Sequence, residues 1–127
     1  MLVDTDVLIW HLRGFRQATE KLDSYSTLII SAVTYMELLQ GLRNKAEMKA
    51  LQQSLEMRHT QRMPLTPAIT DKATALMEDR VLSDGLQMAD ALIAATALEH
   101  QLNLLTGNAK HFSAIPALKI ERFKIQE

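Results

Sequence analysis

Four residues carry the chemistry of a cation-assisted hydrolytic site: Asp4, Glu37, Asp90 and Asn108. Three are carboxylates, and three carboxylates brought together repel one another unless a cation shares their charge. Their oxygens are hard donors. The chain has no cysteine, and its histidines are not paired in ligand spacing. The set therefore suits Mg²⁺ or Mn²⁺ rather than zinc. Such an ion, held by a few carboxylates and completed by water, suits phosphodiester cleavage: it lowers the pKa of a bound water and stabilises charge on phosphate oxygens.

Each of the four also has an ordinary structural explanation. Asp4 follows the apolar run Met1-Leu2-Val3, and Asp6 comes two residues later. One polar side chain suffices to cap a helix beginning near Val7. Thr5 or Asp6 is the expected cap, which leaves Asp4 for a site. Glu37 lies among Val33, Tyr35, Met36, Leu38 and Leu39, too deep in its helix to cap it. Taken alone it reads as a solvated surface acid. Asp90 falls in the first turns of a helix that is apolar nearly all round. The helix dipole stabilises a carboxylate there, but its burial is costly without a partner or a metal. Asn108, in Thr106-Gly107-Asn108, reads as a turn followed by a helix cap. Joint placement favours a shared site. The first and fourth strand-like segments each end in a polar group of this set, and Glu37 and Asp90 lie on helices able to lean over the same sheet edge.

The elements that must position them follow from periodicity and punctuation. Short apolar runs predict strands over Leu2-Val3, Thr27 to Ile30, Arg62 to Leu65 and Leu102 to Leu105, with a fifth over Leu118 to Glu121. Helical patterns lie between them: Val7 to Leu12, Arg16 to Leu22, a helix capped by Ser31 and running to about Leu42, Lys45 to Met57, Pro67 to about Leu82, and Gln87 to Gln101. Strands that alternate with helices argue for an α/β domain with a parallel sheet. In such sheets ligands bind outside the carboxyl ends of the strands, which is where Asp4 and Asn108 fall.

The 127 residues suit one domain spanning 1–127. Aromatic residues are only 5% of the chain, so the core must be aliphatic. A net charge of −1 excludes a globally basic field for nucleic acid, and any such contact must use a local patch. Arg13, Arg16, Arg43, Lys45, Lys49 and Lys110 are the cations available; each alone is equally ordinary surface charge. With so few aromatics, stacking on splayed bases is a poor basis for recognition, and a folded RNA gripped by shape fits better than a long single strand. No basic start precedes a long apolar run, so neither a signal peptide nor a membrane span is expected. A cytoplasmic location is the expectation.

Four segments, in order, resemble the motifs of the PIN-domain nuclease family. They are Met1-Leu2-Val3-Asp4-Thr5-Asp6-Val7-Leu8-Ile9; Ser31 to Gly41 around Glu37; Ala89-Asp90-Ala91-Leu92-Ile93-Ala94-Ala95-Thr96-Ala97; and Thr106-Gly107-Asn108-Ala109-Lys110-His111-Phe112. The likeness spans nearly the whole chain, and within the family it is greatest to toxins of bacterial toxin–antitoxin pairs. It implies a parallel five-stranded sheet with helices on both faces. It implies Asp4, Glu37 and Asp90 as metal ligands, with Asn108 completing the catalytic set. It also implies Mg²⁺-dependent RNA endonuclease activity, a cognate antitoxin and a homodimer. Many family members carry an acid where this chain has Asn108, which adds no negative charge, so a second metal is not implied with the same force. The apolar residues between Val7 and Met57 offer a groove for an antitoxin segment. Trp10 and the methionines read as core.

Two other readings compete. Val3-Asp4-Thr5-Asp6-Val7 also resembles the first motif of haloacid-dehalogenase-like phosphatases, with Asp4 as nucleophile. That fold needs an acidic motif after a later strand, and Leu82-Ser83-Asp84-Gly85 is the nearest match. The third reading is a catalytically inactive binding domain, for which Asn108 leaves room.

Overall fold

A computed structural model describes residues 1–125. The order of elements is β1 (Leu2–Val3), α1 (Thr5–Leu12), α2 (Arg16–Asp23), β2 (Ile29–Ser31), α3 (Ala32–Gln40), α4 (Lys45–Met57), β3 (Gln61–Met63), α5 (Pro67–Asp84), α6 (Met88–Glu99), β4 (Leu104–Thr106), a 3₁₀ turn (Ala109–His111) and β5 (Ile120–Arg122). The five strands are all parallel, in the order β3-β2-β1-β4-β5. The expected α/β fold with a five-stranded parallel sheet is what forms.

Alternating side chains feed two cores, one on each face of the sheet. Leu2 and Leu104 enter one, with Ile69, Ile93, Ala94 and Phe112. Val3 and Leu105 enter the other, with Val7, Leu22, Leu28, Ile30 and Leu51. Helix α3 serves both, through Val33 on one side and Leu38 on the other. Helix α6 is lined with buried alanines, at 91, 94, 95 and 97, and α5 packs against it. The small side chains explain why so apolar a helix needs few aromatic neighbours.

The chain leaves β1 toward β2 and β3, then returns to the other side of β1 for β4 and β5. This reversal between β1 and β4 is a topological switch point, where loops leaving adjacent carboxyl ends diverge and open a crevice. The Asp4 N–H still bonds the Leu105 carbonyl, at 2.9 Å, so the two strand ends are tied together at the mouth of that crevice.

Most strands form one or two residues later than the apolar runs suggest. β2 ends on Ser31, β4 on Thr106 and β5 on Arg122. Parallel pairing sets the register, Leu2 with Ile29 and Leu104, and it carries polar residues into the ladder that apolarity alone leaves out. β3 instead begins one residue earlier and stops at Met63, leaving Pro64 and Leu65 outside. The helix α5 runs on to Asp84 and stops at Gly85, whose φ of 65° forms a left-handed cap. Residues 82–84 are thus helical, and the second acidic motif required by a dehalogenase-like phosphatase does not follow a strand there.

Candidate active site

The first correction concerns Asp4. Helix α1 begins at Thr5, two residues before the expected start, so Asp4 is its N-cap, with extended backbone angles. Its Oδ1 accepts the Thr5 N–H at 2.8 Å. The capping role expected of Thr5 or Asp6 therefore falls to Asp4. The other oxygen does different work: Oδ2 accepts the Thr106 hydroxyl at 2.7 Å, across the β1–β4 boundary. Thr106 Oγ1 in turn accepts the Asn108 N–H at 3.0 Å. One carboxylate thus caps a helix and faces the crevice at once.

Asp6 is held in the same manner. Oδ1 accepts the Val7 N–H at 2.8 Å and Oδ2 accepts the Gly107 N–H at 3.0 Å. Only glycine fits at 107: a Cβ there would lie 2.5 Å from the Trp10 ring and 2.8 Å from Asp6 Oδ2. Trp10 packs in turn against Phe123, with ring centroids 5.7 Å apart.

Glu37 reaches the crevice from α3. Its Oε1 lies 2.6 Å from Thr5 Oγ1, which also sits 3.1 Å from the buried Thr34 hydroxyl. The Thr5 proton goes to the carboxylate, leaving Thr34 to donate to Thr5. Asp90, in the first turn of α6, has its Oδ2 3.3 Å from His111 Nδ1. Asn108 is exposed, and its side chain makes no cap bond for the 3₁₀ turn that follows. Its expected cap is absent; the backbone N–H is the group that participates.

Electrostatics join the four acids. Burial pushes the Asp4 carboxyl up to about 7, the neighbouring Asp6 charge adds to this, and Asp90 acts in the same direction, against the Thr106 hydrogen bond. Burial also raises Asp6, with Asp90 again contributing. Asp90 is raised by burial and by Glu37, against His111. Asp4, Asp90 and Glu37, separated by up to 86 positions in sequence, therefore belong to one field of like charge, and Asp6 joins them. Thr5, Thr34, Thr106 and Gly107 support it. The one available sequence signal for Asp6 was a second acid beyond what capping required; the threonines gave none.

The sequence pattern of the PIN domain family matches residues 1–118. The chain belongs to the PIN domain family. The chain is 38% identical over 123 residues to Ribonuclease VapC10 of Mycobacterium tuberculosis, covering 94% of this chain and 90% of that protein. A toxin–antitoxin complex from Klebsiella pneumoniae holds a chain similar in structure, with a TM-score of 0.81, 28% identity and 98% of each chain covered. FitAcB from Neisseria gonorrhoeae is similar as well, with a TM-score of 0.72, 26% identity and 94% of each chain covered.

The donor chemistry of this PIN domain fits a hard divalent cation. Asp4 is buried, at 5% exposure, and the charges that act on it are both acids. Such a carboxylate needs a positive partner or a proton. The shell is not closed, however: among the described residues no three acidic, histidine or cysteine side chains are gathered tightly enough to hold an ion. Among the described residues, too, no helix is long and apolar enough to cross a membrane.

Proposed function

We propose that this PIN domain is a divalent-cation-dependent RNA endonuclease, the toxin of a toxin–antitoxin pair. The observation that carries the reading is Asp4: a buried carboxylate at the switch point of the sheet, facing acids and no cation. Ribonuclease VapC10, with 38% identity, supports RNA as the substrate.

In this reading Asp4, Glu37 and Asp90 would hold Mg²⁺, or Mn²⁺ in its place. When bound, the ion neutralises the carboxylates and supplies Lewis acidity toward a phosphate oxygen and a water. Thr106 fixes Asp4 Oδ2, and the Thr5 hydroxyl fixes Glu37 Oε1, so each acid keeps an oxygen oriented while lone pairs remain for a ligand. Glu37 orients the attacking water. Asp6 adds charge beside Asp4 and is kept in place by the Gly107 N–H. Asn108 positions the loop through its backbone and adds no charge to those of the four acids, which favours a single ion. Hydrolysis breaks the bond between phosphorus and one ester oxygen, and water supplies the hydroxyl and the proton of the two products.

The test uses a defined RNA with Mg²⁺. The wild-type protein cleaves it, EDTA stops the reaction, and Asp4→Asn or Asp90→Asn lowers the rate about 1,000-fold or more. Cleavage that survives EDTA, or variants as active as wild type, would overturn the assignment; binding without cleavage would point to an inactive RNA-binding domain.

The antitoxin belongs to the same proposal. Leu12, Phe15, Met36 and Met48 are exposed large apolar side chains of the first four helices and their connections, and such surface suits an apolar partner segment. Co-expression with the adjacent small protein should give co-purification and relieve toxicity. The homodimer is also part of this reading: Val81, Leu82 and Met88 stand exposed around the α5–α6 turn, and light scattering should return twice the 14.3 kDa chain mass.

A further inference from the structure

A second cleft of about 490 Å³ opens beside the acids, between the end of α5, the start of α6 and the 3₁₀ turn. Asp90 and His111 belong to its wall, so it is continuous with the candidate active site. Its other polar lining comes from Arg80, Asp84, Gln87 and Lys110.

Arg80 is a built feature. Its side chain is only 16% exposed, and Nη1 is held by Asp84 Oδ2 at 2.8 Å. Asp79 Oδ2 lies 3.7 Å from Nε, too far for a hydrogen bond, and Nε is buried with no hydrogen-bond partner. Asp84 thus fixes the guanidinium at the cleft wall, and what Arg80 offers a phosphate there is its charge and its N–H groups other than the buried Nε. Lys110 is exposed and forms no ion pair among the described residues. Asp84 is spent on Arg80, and Asp90 belongs to the acid cluster. Arg80 and Lys110 balance Asp84 and Asp90 in this lining, so the attraction for an anion is local, at the Lys110 ammonium, with N–H donors from Arg80 beside it. Helix α6 begins at this wall without a side-chain cap, and its positive dipole end acts in the same sense. The floor of the cleft is made by Leu86 and Ile115, which belong to the buried core.

By contrast, two cations that the sequence offers for RNA are committed elsewhere. Arg16 pairs with Glu20 and Arg43 with Glu47, each within its own helical neighbourhood.

We infer that this cleft receives a phosphate of the RNA strand next to the one cleaved, with Lys110 and Arg80 as its contacts. The inference rests on the endonuclease reading for its substrate, and it adds the direction in which the strand leaves the acids: past Asp90 and along the 3₁₀ turn that carries Lys110.

The experiment measures anisotropy of a fluorescein-labelled 12-nucleotide RNA in EDTA, so that binding is read without cleavage. Lys110→Gln should weaken binding about 3- to 10-fold and reduce the salt slope by about 0.7, the value for one phosphate contact on a single strand. Arg80→Gln should weaken it further; if that variant fails to fold, the exposed Lys110 carries the test alone. Lys119→Gln is the control, an exposed lysine at the amino end of β5, away from the carboxyl ends of the strands where the acids lie. The inference is overturned if Lys110→Gln binds like wild type, or if Lys119→Gln loses as much. Cleavage with Mg²⁺ separates the two proposals. A wild-type protein that cleaves, with KM unmoved by Lys110→Gln, sinks the cleft alone. Lys110-dependent binding by a protein that cleaves nothing sinks the endonuclease reading and keeps the cleft.

Discussion

The acids of the site come in two kinds. Asp4 and Asp6 follow β1 directly, and all four of their oxygens accept a hydrogen bond from a backbone N–H or a buried hydroxyl. Glu37 and Asp90 arrive from helices α3 and α6, each with one recorded polar contact, Thr5 for Glu37 and His111 for Asp90. The first pair is fixed by the same bonds that join β1 to the loop after β4. The second pair is free to adjust. This difference goes with acids that, among the described residues, are not gathered around one point. The fold holds one pair of acids by four hydrogen bonds and the other by fewer contacts. Preorganised donors avoid reorganisation during the reaction, whereas adjustable ones allow entry and release.

The largest consequence lies in stability. Asp4 is raised to about 7 from 3.8, so between pH 4 and 7 the folded, metal-free protein keeps a proton that the unfolded chain has released. Stability from this group is fully present below pH 4 and declines as pH rises to 7, by about 4 kcal/mol in all. Asp4→Asn should flatten that decline and leave the metal-free variant more stable than wild type at pH 7. Denaturant midpoints across pH 4–8 check it; a wild-type curve that rises over this range would show that the folded protein does not hold this proton on Asp4.

Gly107→Ala attacks the rigid half sterically. The added methyl meets the Trp10 ring and Asp6 Oδ2, and overpacking of this kind costs about 1–3 kcal/mol. A lowered melting temperature with weakened cleavage is expected. Thr106→Val removes the hydroxyl that orients Asp4 and leaves the fold intact, and loss of such a supporting bond lowers activity or metal affinity about 10- to 100-fold. It also removes a bond that holds the Asp4 pKa down, so the pH at which wild type begins to bind a divalent cation should move upward, as calorimetry can show. His111→Asn touches the adjustable half and should matter least. An exposed ion pair is worth under about 1 kcal/mol, which is a change of about fivefold or less. If His111→Asn cost more than Thr106→Val, the division into rigid and adjustable halves would be reversed.

Of the acids expected at the site, only Asp90 stood in a helix so apolar that a carboxylate was expensive there; Asp4 drew attention as a second acid beyond what capping needs, and Glu37 only in company with the others. Asp6 was not legible as a site acid, because a cap and a site acid look alike until the helix start is known, and that start moved by two residues. The threonines escaped for a different reason. A hydroxyl suits a strand end, a helix or a turn equally, and only the closure of β1 against β4 gives Thr106 a partner 102 residues away. Arg80 sits late in a long helix, four residues before Asp84, and reads as one more surface pair; its burial comes from the packing of α5 on α6, which periodicity does not report.

Trp10 is the one tryptophan of the chain, and its ring rests on the backbone of Gly107, the residue that anchors Asp6. The molecule therefore contains its own fluorophore within contact of the site. Any ligand that shifts the loop after β4 changes the surroundings of a single indole, and its emission becomes a label-free readout of cation entry, with no background from other tryptophans.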